Sequence, residues 1–238
     1  MRGAKQRRYN DRITLRTDTV HGTCWLDETE ARLNAIAPGW HFLATYLIAY
    51  IDRPLLIVPC ISDDALSPKE ALHRRGRGFV LALSAKNEAG TGYHGPWQGT
   101  ADAFLVHALA QVMLVCQGLD DETPFTGARS HWRSPTDFLA VTLTNIFRSE
   151  ADPAAILRGS ASDDDFVPLP GDPATFHTDH RDLFLRVLRR REHVFWHLAQ
   201  AHYAAFNPFK DIVMNLSPHE LCRSNKQTRY PGPLARAA

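Results

Sequence analysis

The spacing of apolar and polar positions predicts three short strands in the first part of the chain. Residues 12–20 alternate between apolar and polar side chains, which favours a half-buried strand. Residues 55–60 and 78–84 are almost continuously apolar and favour strands that are buried on both faces. The charged stretch 62–77 and the Gly- and Pro-rich stretch 87–100 predict surface loops.

Helical spacing of apolar residues covers much of the remaining chain. Asp27 is the predicted N-cap of the first helix, because a short side-chain oxygen can accept from the first unpaired backbone N–H groups. Gly118 is the predicted residue that ends the longest clean helix. Five helices are predicted in all, over residues 26–37, 40–50, 101–117, 134–150 and 180–206.

The order of these elements predicts an α+β protein that is dominated by helices and has a small sheet in its N-terminal half. Residues 1–25 are predicted to be an N-terminal arm that includes a strand, and residues 26–212 to be the folded domain. Within that domain, residues 151–173 are rich in Pro, Asp and Ser and are predicted to be a mobile insertion. Residues 213–238 form a polar, Pro-rich tail.

The amino-acid composition argues against several classes of function. Hydrophobic residues make up 44% of the 238 residues and charged residues 22%, which is typical of a globular chain. Lys and Arg (27) nearly balance Asp and Glu (26), so charge does not indicate nucleic acid as a partner. No apolar run is long enough to span a bilayer. The four cysteines form no C-x-x-C pair, and we expect a soluble protein that folds in a reducing cytoplasm.

The predicted helix with the sequence AFLVHALAQVMLVCQG carries a histidine in an otherwise apolar setting. In zinc proteases, His-Glu-x-x-His places two metal ligands one turn apart, and the Glu takes a proton from the metal-bound water. Here His107 is followed by Ala108 at the position of the Glu and by Gln111 at the position of the second His. Alanine cannot accept a proton and a neutral amide is a poor zinc ligand, so the motif is degenerate.

Other histidines could serve as metal ligands in its place. His193 and His197 are one turn apart on the last predicted helix, a spacing that suits a metal, and His131 is a further alternative. Val194, however, stands where a catalytic Glu would be needed. On an amphipathic helix such histidines more commonly pack or form hydrogen bonds, so the pattern favours a structural role for them.

The order of several short motifs resembles the M91-type zinc metallopeptidase effectors of bacteria. The resemblance covers residues 78–212. It rests on His107, Asp137, Phe138, Ala140, Val141, Asn145, Ile146, Ser149, Glu150, Phe206, Asn207 and Pro208. It implies a zincin-like domain, with a first zinc ligand at His107, a general base at Ala108, a second ligand at Gln111 and a third at Thr136 or Asp137. Tyr93, His94 and Trp97 would then line a substrate cleft beside the helix, or would anchor their long loop.

Three functional hypotheses follow. The first is a degenerate zinc-metallopeptidase-like effector or toxin, catalytically impaired, delivered by a specialised secretion system and acting by binding a protein or peptide between the 101–117 and 136–150 helices. The second is an active zinc metallopeptidase that uses His107, Asp137 and a histidine from elsewhere. The third is a helical interaction protein without metal, in which case the order of the motifs is coincidental.

Overall fold

A computed structural model describes residues 4–18, 21–60, 71–84, 101–159 and 168–217. Within these ranges the chain forms helices together with a five-stranded sheet in the N-terminal half, which confirms the predicted α+β class. The strands are β1 (Gln6–Arg8), β2 (Ile13–Arg16), β3 (Leu55–Cys60), β4 (Leu72–Arg75) and β5 (Gly78–Ser84). The helices are α1 (Gly22–Ile36), α2 (Leu43–Ala49), α3 (Ala101–Cys116), α4 (Pro135–Ala151), α5 (Phe176–Asp179), α6 (Arg181–Arg190), α7 (Glu192–Ala199) and α8 (Pro208–Met214).

The sheet is mixed, with the strand order β1-β2-β3-β5-β4. The strands β2, β3 and β5 run parallel to one another, whereas β1 and β4 are antiparallel to their neighbours. Alternate side chains of the parallel strands, such as Ile13, Leu55 and Leu81, are buried on the face that α1 and α3 cover. The residues between them, such as Leu56 and Val80, lie on the opposite face and are partly exposed.

Two strands form where the sequence predicted irregular chain, so both predictions were wrong. The strand β1 lies in the predicted arm, and β4 lies in the predicted loop 62–77. Both are short and rich in arginine, as edge strands often are, and therefore show no apolar alternation. Gly76, at φ +60°, allows the tight turn from β4 to β5, and Gly78 leaves room for the carbonyl of Pro54, which a Cβ atom would approach to 2.5 Å.

The first helix starts earlier than the sequence predicted. Asp27 lies inside α1 instead of at its N-cap, and its carboxylate forms an ion pair with Arg7 of β1 at 2.7 Å. The carboxylate of Asp18 instead accepts the backbone N–H of His21, the residue that precedes α1. The N-cap of α1 is therefore His21, whose own side chain makes no capping hydrogen bond, and the prediction for Asp27 was wrong.

The central pair of helices, α3 and α4, matches its predictions closely. Nearly every residue of α3 is buried, as is the first two-thirds of α4, so both helices lie in the core. Gly118 ends α3 at φ +63°, as predicted. The side chain of Ser134 accepts from the backbone N–H of Asp137, which makes Ser134 the N-cap of α4, with Pro135 in its first turn.

The long helix predicted over residues 180–206 is not continuous. The helix α6 ends before Arg191, whose backbone is not helical (φ −145°, ψ 69°), and α7 ends at Ala199. The side chain of Arg191 donates to the carbonyl of Gln117 at 2.6 Å, which ties the break to the end of α3. Asn207 then begins a new helix, α8, because its side chain accepts from two backbone N–H groups. In the described part of the chain, no helix is long and apolar enough to cross a membrane.

Candidate functional site

Helix α3 places His107 in the centre of the protein, where its side chain is fully buried. Its Nε2 lies 3.1 Å from the side-chain nitrogen of Gln111, and its Nδ1 lies 3.4 Å from the hydroxyl of Thr144 on α4. The ring also forms a hydrogen bond with the carbonyl of Ala140. Because a carbonyl only accepts, we assign the ring proton to Nδ1, and Nε2 then accepts from the Gln111 amide. Both ring nitrogens are therefore engaged within the protein.

Burial also determines the charge of this histidine. Transfer of the imidazolium out of water lowers the pKa of His107 to about 3, well below its ordinary value of 6.5. The ring is therefore neutral near pH 7. The adjacent Ala108, which occupies the position of the missing general base, is fully buried as well. This part of α3 belongs to the hydrophobic core.

Gln111, one turn after His107, lies in different surroundings. Together with Asp137 it lines a cavity of about 290 Å³ between α3, the start of α4 and the edge strand β4. Three apolar residues, Leu72, Phe79 and Val115, form part of its wall. The polar wall comprises Arg74, Gln111, Glu122, Arg133, Ser134, Thr136 and Asp137. Gln111 and Asp137, which stand at the predicted positions of the second and third zinc ligands, thus line the same open cavity.

Asp137 has a structural role at the start of α4. Its carboxylate accepts from the backbone N–H of Arg133 at 3.0 Å, while its own backbone N–H donates to the hydroxyl of Ser134. The two hydrogen bonds join Asp137 to the N-cap Ser134 and to the residue before it. Asp137 is only 8% exposed, and the hydrogen bond from the backbone N–H of Arg133 holds its carboxylate in this orientation.

His107 contacts α4 at a point well away from Asp137. Thr144, which contacts His107, lies two turns after Asp137, and this corresponds to about 10 Å along the helix axis. The fold therefore brings Gln111 and Asp137 to one cavity and leaves His107 behind Gln111, in the core.

His131 lies in an aromatic cluster near the short 3-10 helix Gly127–Arg129. Its ring is 3.7 Å from that of Trp132, which also packs edge-on against His180 and Phe138. Burial lowers the pKa of His131 and brings the pKa of His180 to about 4. Both rings are therefore neutral near pH 7.

The alternative pair His193 and His197 lies on α7 and faces α2. The hydroxyl of Tyr50 forms a hydrogen bond with Nδ1 of His197, and the ring of Tyr46 stacks on that of His197 at 5.3 Å. The ring of His193 lies 5.5 Å from that of Tyr50. Burial lowers the pKa of both histidines. The two side chains thus pack against tyrosines of another helix.

The remaining predicted site residues, Tyr93, His94 and Trp97, lie outside the described residues. Within the ranges that the structure describes, no three His, Cys, Asp or Glu side chains converge in a way that could hold a metal ion. Within the described ranges, Cys24 and Cys116 form no disulfide.

The sequence did not single out the charged residues of the cavity. Arg74 pairs with Asp120 at 3.0 Å, and Glu122 accepts from the hydroxyl of Ser134 at 3.2 Å. Arg133 directly precedes the N-cap Ser134, and this proximity to a helix start was the available signal for it, whereas Glu122 lies far from that cap in the sequence. Arg74 offered no such signal, because its strand reads as a charged loop.

Several residues that carry the family resemblance join α4 to distant parts of the chain. Asn145 donates to the carbonyl of Arg158 and accepts from its backbone N–H, which anchors the described start of the 151–173 segment. Ser149 makes the corresponding pair of hydrogen bonds with the backbone of Phe206. All four residues are buried, and buried polar groups need hydrogen-bond partners. A structural role therefore accounts for these polar side chains.

Glu150, near the end of α4, has a partly buried carboxylate that contacts the start of α2. Both of its carboxylate oxygens accept from the backbone N–H of Leu43, the first residue of α2, at 3.0 and 3.2 Å. Burial raises the pKa of Glu150 to about 7, and the bond from Leu43 only partly opposes this rise. The carboxyl therefore titrates near neutral pH.

We expect the Glu150→Gln variant to be more stable than the wild type at pH 8 and equally stable at pH 4.5. The folded-state pKa is raised, so the stability that Glu150 contributes is complete below its ordinary pKa and is lost as the pH rises through about 7. Glutamine keeps an acceptor for Leu43 without the charge, and we expect a gain of roughly 1 kcal/mol at pH 8. Urea denaturation at the two pH values measures this difference in the free energy of unfolding. The control is Glu28→Gln on the exposed face of α1. An equal gain at both pH values would contradict the titration.

Comparison of the sequence with family models and characterised proteins, and of the fold with solved structures, finds no significant match. The resemblance to zinc metallopeptidases therefore stays a prediction.

Proposed function

We propose that this protein is a non-catalytic binding protein of the metallopeptidase-like effector or toxin type. It holds a peptide segment of a partner protein in the cavity between α3, α4 and β4. The observation that carries the proposal is that the residues of the degenerate motif lie in two different environments. Gln111 and Asp137 face an open cavity, whereas His107 and Ala108 are fully buried.

The residues present do not fit a catalytic zinc ion. Zinc in such a site takes three protein ligands and keeps a further position for water. Here Nε2 of His107 pairs with the amide of Gln111, and the carboxylate of Asp137 accepts from the backbone at the start of α4. Ala108 offers no group that could take a proton. No catalytic step is therefore derived through a metal.

The cavity has the chemistry of a site for peptide side chains. Its volume of about 290 Å³ is at the small end for ligand sites, which favours one or two side chains over a whole cofactor. It presents basic and acidic groups beside an apolar wall, so it suits a segment with both polar and aliphatic residues. The adjacent β4 is an edge strand of the described sheet, and such a strand can pair with an extended peptide through its backbone.

We expect a peptide selected on this protein from a random display library to lose about tenfold or more in affinity when Val115 is changed to Phe. Val115 is partly exposed and lines the cavity, so the larger ring occupies space that the peptide side chains need. The peptide is synthesised and its Kd is measured by fluorescence anisotropy. The matched control is Val213→Phe at a partly exposed valine of α8.

Equal weakening in both variants would place the peptide elsewhere and contradict the proposal. The zinc content of protein purified without chelators, measured by elemental mass spectrometry, tests the enzyme alternative. One zinc per chain that is lost in His107→Ala would favour an active metallopeptidase and overturn the binding-protein proposal. We expect no stoichiometric zinc in either protein.

A further inference from the structure

A second groove, of about 560 Å³, lies at the end of the sheet where the parallel strands begin. Four arginines line it: Arg12 and Arg16 at the two ends of β2, and Arg75 and Arg77 around the turn from β4 to β5. All four are exposed, and none forms an ion pair within the described ranges of the chain. The groove therefore carries four converging positive charges.

Other arginines of the same sheet have acidic partners. Arg7 pairs with Asp27 at 2.7 Å and with Glu30 at 2.6 Å, and Arg8 pairs with Asp11. Lone exposed arginines are ordinary solvated residues. Four that converge on one groove repel one another, and this repulsion is relieved when an anionic ligand binds between them. Arginine also binds carboxylates through two parallel hydrogen bonds, which adds geometric selection to the charge.

The floor of the groove identifies the class of anion. It includes Leu56 and Val80, which lie on the partly exposed face of the sheet, together with Pro54 and the neighbouring Thr14 of β2. Phe79 contributes to the lining, but its side chain is 4% exposed and belongs to the core face. Single-stranded nucleic acids are held by bases that stack on exposed aromatic rings, and the described lining offers no such ring. An aliphatic floor between guanidinium groups suits aliphatic side chains flanked by carboxylates.

We propose that this groove binds an acidic peptide segment of a partner protein, with aliphatic side chains between its carboxylates. The segment places its carboxylates on Arg12, Arg16, Arg75 and Arg77 and its aliphatic groups on Leu56 and Val80. The groove shares Phe79 with the cavity beside Gln111, but its four arginines lie outside the lining of that cavity, so this inference does not depend on the proposed function.

The test measures binding of a short fluorescein-labelled peptide of alternating Glu and Leu to the full chain by anisotropy. We expect the Arg16→Ala, Arg77→Ala double variant to weaken binding about tenfold or more, because two charge-assisted contacts are lost. The matched control is Arg189→Ala, Arg190→Ala, which removes the same charge from exposed positions of α6 and should leave the Kd unchanged. Far-ultraviolet circular dichroism confirms that each variant is folded.

Four results would overturn the inference. The wild type does not bind the peptide, or the control double variant weakens binding as much as the groove variant does. A peptide of alternating Glu and Ser binds as tightly as the Glu-Leu peptide, which means that the aliphatic floor is not used. A single-stranded DNA of the same charge binds as tightly and loses affinity in the same groove variant, which means that the site recognises any polyanion.

Discussion

We expect the His107→Leu variant to withstand acid better than the wild type. The pKa of His107 is lowered to about 3 in the folded state and has its ordinary value of 6.5 in the unfolded state. Below pH 6.5 the unfolded chain therefore binds a proton that the folded chain excludes. The stability that the neutral ring contributes is present above pH 6.5 and is lost as the pH falls toward 3.

The expected effect is large. The loss amounts to about 1.4 kcal/mol per pH unit for one proton, or roughly 3 kcal/mol by pH 4.3. Leucine fills a similar volume without a titrating group. Near pH 7.5 we expect the variant to be about 1 kcal/mol less stable than the wild type, because the bonds to Gln111 and Ala140 are lost. The two stabilities should therefore cross at about pH 6, and at pH 4.5 the variant should be the more stable protein.

Urea denaturation between pH 4 and 8 measures both effects. His180, whose pKa is lowered to about 4 by burial, adds to the slope in the same direction, so the variant should lose about one proton of the pH dependence and not all of it. The control is His73→Gln on the exposed surface of β4. Parallel curves for wild type and His107→Leu would mean that His107 is accessible to solvent, and would contradict its position in the core.

The Ala108→Glu variant has the second large expected effect. It supplies the general base that a zinc protease carries at this position, but the side chain of Ala108 is fully buried. We expect a loss of about 4 kcal/mol or more at pH 8, because an unpaired carboxylate is transferred into the core. The variant should therefore lose stability without gaining hydrolytic activity.

The pH dependence distinguishes burial of the charge from simple overpacking. Burial raises the folded-state pKa of a carboxyl, so the deficit of Ala108→Glu should be smaller at pH 5 than at pH 8. The control Ala108→Leu introduces comparable volume without charge, and we expect it to lose roughly 1–3 kcal/mol at both pH values. If Ala108→Glu proved as stable as the wild type, the position would face solvent and the enzyme alternative would regain support.

The sequence predicted the central helices well. The helix α3 is apolar on nearly all sides. Because Gly118 marks the end of α3 and the Ser134-Pro135 cap marks the start of α4, these bounds are determined locally. The strands β3 and β5 follow from continuous apolar runs in the same way. The edge strands β1 and β4 were missed because short, charged segments acquire strand structure only by pairing with a neighbour.

The break at Arg191 also depends on tertiary contacts. The apolar spacing of residues 180–206 is compatible with one helix, and no Gly or Pro interrupts it before Pro208. The non-helical backbone at Arg191 is accompanied by a hydrogen bond from its side chain to the carbonyl of Gln117, at the end of α3. A local pattern contains no information about such a contact.

For the candidate site, the sequence by itself determined that His107, Ala108 and Gln111 lie on one helix and that the zinc-protease motif is incomplete. It could not determine which of them faces a cavity, because a helix that is apolar all round has no periodic signal for its open side. The packing of α4 and β4 against α3 decided this. It leaves Gln111 open beside Asp137 and Arg74 and encloses His107, because neighbouring elements distant in sequence supply the walls.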